Sequence, residues 1–446
     1  MSLTETIQSS LDACGIAPSE SPLLVALSGG ADSVCLLLAL KELGYPLHAL
    51  HCNFELRGVE SDGNEAFCRR LCRQHDIPLS VKHFRTRSYA QRHHLSIEMA
   101  ARELRYQWFE EQRKELGAQW ISVAHHRDDN IETLLLNLIR GTGIHGLTGM
   151  KVKSGNVLRP LLNVAKEDIE AWLEAREQQW ITDSSNLDPD AAQRNKIRLQ
   201  LLPIMEEMNP RVRETLAATA TRLAEAEALY DDAVAGERER VEHKDGSLLV
   251  SALKEATSSA TVLHEILHPR GYTAEQVREI HDTMEGESGK LWESREGWRL
   301  LRDRGRLLMQ KDEDDAAASP DGEYLPLEGF CEPRRGVRML ICRQAIDPAT
   351  FVIPRDASTV CFDLEKLTLP LTIRATRDGD RFQPFGMSGT RLVSDLLTDL
   401  KLSLFDKERQ FVVCSADTIA WVVGRRAAAG FEVDASTRHV MTITLL

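Results

Sequence analysis

Short apolar runs alternate with longer stretches of helical periodicity through the first half of the chain. The runs are Leu23–Leu27, Leu47–His51, Leu79–Phe84 and Trp120–Ala124. The stretches between and after them are Ser33–Leu43, Ser61–His75, Ser96–Leu116 and Asp129–Arg140. Strand–helix alternation of this kind predicts an α/β fold, a parallel sheet covered by helices. Ligands on such sheets bind beyond the carboxyl ends of the strands, so the residues after Leu27, His51 and Ala124 are expected to converge. Asn163–Trp180 reads as a further helix, and polar Thr182–Gln193 follows it. Asn209-Pro210 then breaks the chain. Val212–Ala256, rich in Ala, Leu and Glu, has a helical pattern, as does Ala274–Met284. Lys311–Tyr324 is acidic, small and proline-containing, which suits a linker. Beyond it come short alternating runs such as Leu371–Ala375, Phe411–Cys414 and Ile419–Val423, predicting a small α+β domain. The expected division is 1–208, a helical middle domain at 209–310, a linker at 311–325 and a C-terminal domain at 326–446.

At 446 residues the chain is long enough for two to four domains, each with its own core. The net charge of −13 argues against a protein basic all over, while leaving room for a local basic surface. Nine cysteines are scattered, and none forms Cys-x-x-Cys. Cys68 and Cys72 lie one helical turn apart. An odd count in a long chain points to reduced thiols and a cytoplasmic location. Met1–Ser10 is polar, so no signal peptide is expected. The longest apolar run, Val34–Leu40, is too short to span a bilayer, and no membrane partner is expected.

The strongest chemical signal is the strand Leu23–Leu27 running into Ser28-Gly29-Gly30-Ala31-Asp32-Ser33, where a helix begins. Two glycines let the backbone pass close to a bound group, and the N–H groups of the turn and helix terminus face an anion. That suits phosphates, although the lysine of a Walker A loop is missing. Another positive partner is then required, most simply Mg²⁺ held by a carboxylate, with Asp32 as the candidate metal ligand. The bland alternative is a strand-to-helix turn capped by Asp or Ser. This segment resembles the SGGxDS signature of the PP-loop ATP pyrophosphatases. The resemblance implies a Rossmann-like catalytic domain, cleavage of ATP between the α and β phosphates, and adenylation of a substrate. It also implies that Ser28, Gly29, Gly30, Ala31, Asp32 and Ser33 bind ATP.

Ser96-Ile-Glu98-Met-Ala-Ala-Arg102-Glu-Leu-Arg105-Tyr106 places Glu98, Arg102 and Arg105 beside an apolar helical stripe. Two arginines one turn apart can embrace phosphate oxygens, while a solvated salt-bridged face is the simpler reading of the spacing alone. The stretch resembles the (E)xAARxxRY helix of the lysidine-synthetase family, which implies an active-site role for Arg105. Val123-Ala-His125-His126-Arg127-Asp128-Asp129-Asn130-Ile131-Glu132-Thr133 brings histidines to a strand end and acids to a first helical turn. First-turn acids are favourable caps, and two convergent carboxylates also suit Mg²⁺ or an ammonium group. Adjacent histidines on a strand point to opposite faces, which disfavours a shared zinc. The segment is similar to the family's AHHxxDxxET motif, implying that Asp129 and Glu132 help receive lysine and that His125 lines the ATP site.

Arg159-Pro160-Leu161, Thr182–Asn186 and Arg194-Asn195-Lys196-Ile197-Arg198 match the family pattern RPL…D(x)SN…RNxIR. The match implies Arg198 as an active-site arginine and Arg194 as a second candidate, here assigned to tRNA. Gly141-Thr-Gly143-Ile-His-Gly146 spells G-x-G-x-x-G but follows an apolar helix, so a dinucleotide site is rejected. Near the end, Ile373–Met387 and Trp421–Arg426 resemble the family's C-terminal domain. Arg377, Arg381, Arg391, Lys401, Arg425 and Arg426 then offer a basic surface for a phosphate backbone. Two departures stand out: Phe54 replaces a family histidine in His51–Arg57, and Asp399-Leu400-Lys401 lacks the usual paired basic residues.

The resemblance implies ATP and Mg²⁺ as cofactors, with free L-lysine and an isoleucine tRNA bearing a CAU anticodon as partners; a homodimer is left open. The wobble cytidine O2 would attack the α-phosphate, and the lysine ε-amine would displace AMP to form lysidine. A PP-loop tRNA thiolase is the nearest alternative enzyme, and those with an iron–sulfur cluster need grouped cysteines that this chain lacks. A non-catalytic ATP-binding module is the alternative from another class. It would keep the glycine loop without needing Asp129, Glu132 and Arg198 together.

Overall fold

The computed structural model describes residues 2–56, 58–181, 193–311, 322–334, 336–354 and 356–446. Arg57, the Thr182–Asn186 match and most of the expected linker lie outside the described residues.

Strand β1 (Leu23–Ala26) is apolar throughout because both of its faces are covered. Leu23, Val25 and Leu27 pack under helices α1 (Leu3–Asp12), α2 (Ala31–Glu42), α3 (Val59–Gln74) and α8 (Lys166–Glu174). Leu24, on the other face, packs with Trp108 and Phe109 of α5 (Ile97–Glu115). β2 (Leu47–Asn53) and β4 (Ile121–Ser122) run parallel to β1 on either side. β3 (Leu79–His83) extends the sheet beyond β2, and β6 (Val157–Leu158) extends it beyond β4, both in parallel. β5 (Lys153–Ser154) closes one edge antiparallel to β6, giving the order β3-β2-β1-β4-β6-β5. The expected strands and their following helices are therefore present, and α4 (Thr86–His93) adds a short helix before α5.

α6 (Arg127–Arg140) leaves the end of β4, and the short α7 (Ile144–Leu147) follows. α9 (Gln193–Lys196) passes into a π-helical turn, Ile197–Leu201, and then into α10 (Leu202–Met208). Ile131, Leu134 and Leu135 of α6 share a buried cluster with Ile197, Leu202 and Ala220. This cluster carries the Arg194–Arg198 segment against α6.

The chain divides into two compact units, Met1–Asp232 and Ala233–Leu446, and the 30-residue α11 (Val212–Val241) belongs in part to each. The helical pattern expected up to Ala256 stops at Val241. His243 N–H donates to Ser247 O (2.8 Å), and Gly246 takes φ +79°, turning the chain into β7 (Leu248–Leu249). α12 (Val250–Glu255), α13 (Ser259–Leu267) and α14 (Ala274–Thr283) then pack on a sheet absent from the sequence reading. That sheet joins β7 to β8 (Leu291–Glu293), β9 (Trp298–Asp303) and β10 (Arg306–Lys311) in the order β7-β10-β9-β8.

The remainder is α+β, as expected. β11 (Glu323–Tyr324), β15 (Thr372–Ala375), β18 (Phe411–Ser415), β19 (Thr418–Val422) and β20 (Arg426–Ala427) form one sheet. β12 (Gly329–Arg334), β13 (Val337–Ala345), β21 (His439–Leu445) and β14 (Thr359–Asp363) form a second. β16 (Arg381–Phe382) pairs with β17 (Arg391–Leu392), and α15 (Val393–Asp399) and α16 (Leu404–Glu408) follow. Among the described residues no helix is long and apolar enough to cross a membrane. All nine cysteines are free thiols.

Candidate functional site

Beyond β1 the chain makes a tight turn organised by one hydroxyl. Ser33 Oγ donates to Gly30 O (3.0 Å) and accepts from the N–H groups of Ser28 and Gly29 (3.2 Å each). Ser28 Oγ lies 3.0 Å from Ser33 Oγ and accepts from Gly30 N–H at 3.3 Å. Gly29 has φ +94°, a conformation that favours glycine, and a Cβ there would meet Ile181 Cδ1 at 3.0 Å. The amides of Ser28 and Gly29 thus turn inward, so the donors aimed at an anion are those of the first turn of α2. Gly30 caps that helix without a side-chain bond, leaving Ala31 and Asp32 N–H groups at the mouth of the turn. His51, at the end of β2, holds Leu27 O through Nδ1 at 2.8 Å.

The acids expected to converge on this loop do so. His126, at the N-cap of α6, directs Nε2 between Asp32 Oδ2 (4.0 Å) and Asp129 Oδ2 (3.6 Å). Its Nδ1 accepts the Asp128 amide at 3.2 Å. Burial alone would lower the His126 pKa, but the Asp128 carboxylate, 3.6 Å from Nδ1, and the charges of Asp129 and Asp32 raise it overall. Asp129 Oδ2 also accepts the His126 amide at 3.1 Å, so the capping role and the site role coexist in one carboxylate.

Glu132, one turn on, is fully buried and binds Arg198 through both oxygens: Nε–Oε1 is 2.6 Å and Nη2–Oε2 is 3.1 Å. Burial raises the Glu132 pKa, and the Arg198 guanidinium opposes the rise. Arg198 also reaches Asp129 Oδ1 at 3.6 Å, and it sits in the π-helical turn, a feature often found at functional sites. Arg194 donates to Thr133 Oγ1 at 2.9 Å.

His125 turns to other surroundings than His126. Burial lowers its pKa to about 4; nearby Asp129 opposes this, and Arg159, Arg194 and Arg102 reinforce it. Among the described residues the gathering of metal-type ligands is His145, Glu227 and Asp231, and there Lys151 lies 3.1 Å from Glu227.

Arg105 is held by an aromatic face. Its Cζ lies 5.2 Å from the ring centre of Phe54, and Phe54 stacks on Phe84 at 5.5 Å. The aromatic residue that replaces a family histidine therefore supports the arginine by its face. Arg377, Arg381 and Arg425 lie in the second unit and are exposed. Gln410 links their neighbourhoods: its backbone O accepts Thr376 N–H at 3.0 Å, and its Oε1 faces Arg425 Nε at 3.4 Å.

Four contributors escaped the sequence reading, the first being His126, where the resemblance pointed to His125. Lys166 Nζ lies 2.6 Å from Asp32 Oδ1. Asp128 is buried, accepts Lys166 N–H at 3.2 Å and pairs with Arg213 Nη1 at 2.6 Å. Arg213 also holds Glu206 at 2.5 Å. No motif marks Arg213, and a lysine opening a helix is ordinarily solvated.

The arrangement can bind an anion at α2 and present carboxylates and guanidinium groups around it. Asp32 and Asp129, both partly exposed and facing one imidazole nitrogen, are hard oxygen donors and fit Mg²⁺.

Known proteins extend these observations. Residues 3–205 match the PP-loop domain, 242–312 the TilS substrate binding domain, and 371–443 the TilS substrate C-terminal domain. A tRNA(Ile)-lysidine synthase of Bacteroides thetaiotaomicron is 42% identical, over 95% of this chain and 95% of the relative. One of Parabacteroides distasonis is 42% identical over 100% of both, and one of Porphyromonas gingivalis is 38% identical over 92% and 91%. With such identity along its whole length, the chain belongs to the tRNA(Ile)-lysidine synthase family.

Proposed function

We propose that the chain joins free L-lysine to C2 of the wobble cytidine of an isoleucine tRNA with a CAU anticodon, through a cytidine adenylated on O2. The observation that carries this reading is the joining of Asp32, His126, Asp129, Glu132 and Arg198, from three distant segments, beside an uncapped helix N-terminus.

The first-turn amides of α2 bind the pyrophosphate portion of ATP, and Ser28, Gly29, Gly30 and Ser33 fix the turn that aims them. Cytidine O2 attacks the α-phosphate, and pyrophosphate leaves. Arg198 and Arg105 stabilise the charge that builds on the phosphate oxygens. Mg²⁺, when bound at Asp32 and Asp129, supplies further neutralisation of that charge. Lysine then approaches with its ammonium group on Asp129. Both Glu132 oxygens are engaged by Arg198, so Glu132 acts by positioning that guanidinium. Once the ammonium has given a proton to a carboxylate, the ε-amine attacks C2 and AMP leaves. His125, uncharged at neutral pH, lines the nucleotide site without adding charge.

Arg194 and the exposed Arg377, Arg381 and Arg425 hold tRNA phosphates in this reading. The functional parts follow as 1–208 for catalysis, 209–310 as a middle domain whose helices pack on the sheet β7–β10 rather than a purely helical one, 311–325 as the connection and 326–446 for tRNA. A cytoplasmic location and a homodimer belong to the same proposal.

The test is incorporation of radiolabelled lysine into total bacterial tRNA with and without ATP. Label should enter only with ATP and be recovered in isoleucine tRNA. Failure of label to enter, with ATP and tRNA present, would sink the reading.

A further inference from the structure

The turn Ser28–Ser33 carries no lysine, yet a triphosphate brought to it needs a cation that can follow the charge. The structure places one there from 134 residues away. Lys166 Nζ lies 2.6 Å from Asp32 Oδ1, and its next acid, Glu170 on the following turn of α8, is 3.7 Å away. The stem of the lysine is fixed. Its backbone N–H donates to the buried Asp128 carboxylate (3.2 Å), which Arg213 holds from its other side at 2.6 Å. The ammonium end is one-third exposed, and so is Asp32. A surface pair of this kind adds little to stability, so the fold has no strong need of it. Asp32 is in the first turn of α2, whose N-terminal amides have no side-chain cap, so an anion seated on those amides lies next to the ammonium group.

We propose that Lys166 is the mobile cation of the nucleotide site, held on Asp32 while the site is free and passed to the outer phosphates when ATP binds. The exchange replaces one ion pair with another, so the ammonium is never stripped of a partner. It also releases an Asp32 oxygen at the moment the site needs a carboxylate for a metal ion. In this way a cation from the first residue of α8 supplies the charge that a Walker A loop places in its own turn. The inference rests on the reading of this loop as the ATP site.

The test is calorimetric binding of ATP and of adenosine to the full chain, as wild type, Lys166→Ala, Lys166→Gln and Lys166→Arg, with thermal unfolding run beside it. Lys166→Ala and Lys166→Gln should weaken ATP at least about tenfold, the loss expected for one charge-assisted hydrogen bond. Adenosine, which has no outer phosphates, should change less than about twofold on the same argument. Lys166→Arg should recover most of the ATP affinity. Unchanged ATP binding in both neutral variants overturns the proposal, and so does an equal loss for ATP and adenosine. Were the wild type itself unable to bind ATP, the loop reading and this inference would both fall; a wild type that binds ATP confines any failure to Lys166.

Discussion

Two pairs of neighbours show how little separates roles at the level of single residues. Asp129 and Glu132 share a face of α6, yet Asp129 remains partly exposed beside Asp32 while both oxygens of Glu132 close on Arg198. His125 and His126 are adjacent, yet acids raise the pKa of His126 while burial, with three arginines nearby and only Asp129 opposing, lowers that of His125. Burial pushes His125 from its ordinary 6.5 down to about 4, so the fold keeps this ring neutral. A depressed pKa contributes stability that is fully present above pH 6.5 and is lost as pH falls toward 4. At pH 5 the loss is on the order of 2 kcal/mol, or a few degrees of unfolding temperature. His125→Gln removes the titration. Its unfolding temperature should therefore drop less than that of the wild type between pH 7 and pH 5. Parallel curves for the two proteins would show that the imidazole does not carry this dependence.

At the level of elements, the turn after β1 depends on one of its two glycines more than the other. Gly29 sits at φ +94°, and a Cβ would press on Ile181 Cδ1 at 3.0 Å. Gly30 has φ −72°, and a Cβ there would meet Ser28 Oγ at an ordinary 3.5 Å. Gly29→Ala should cost about 1–3 kcal/mol, from the strained backbone and the close approach together. Gly30→Ala should cost less than about 1 kcal/mol, since alanine adopts that backbone freely. Chemical denaturation of the two variants checks this, and equal costs would overturn the account of the turn. The turn itself was legible because an apolar strand, two glycines and the start of a helix occur together in one short segment, although that helix has no side-chain cap. The central strands and the helices of the first unit were legible for a related reason: burial on both faces of the sheet writes continuous apolar runs. The sheet of β7 to β10 was not. Its strands carry charged residues such as Arg302, which is buried with its Nε donating to the carbonyl of Glu287 at 2.6 Å. The alternation that marks a strand is erased when a buried position holds an arginine. Lys166 was illegible for another reason, since its partner is 134 residues distant and no local pattern reports it.

Over the whole molecule, an ATP-using enzyme that modifies tRNA carries a net charge of −13. Its attraction for a polyanion must therefore be local. Within the second unit two acids near the expected tRNA surface are already engaged. Asp380 is paired with Arg374 through two bonds of 2.8 Å, and Asp399 with Arg391 at 2.7 Å. Arg377, Arg381 and Arg425 remain exposed around that framework, on the turn before β16, on β16 and on the turn between β19 and β20. Removing one arginine that neutralises a phosphate should lower the slope of log affinity against log salt by about 0.9 for duplex and about 0.7 for single strands. The triple variant Arg377→Gln, Arg381→Gln, Arg425→Gln should thus bind tRNA more weakly, with a slope reduced by about 2–3. ATP binding should stay at the wild-type value, because the loop and its acids lie in the other unit. Filter binding across a salt series, with nucleotide calorimetry on the same preparations, measures both. A slope identical to that of the wild type would move the phosphate-binding surface elsewhere, and the basic Arg194–Arg198 segment would then have to hold the tRNA backbone.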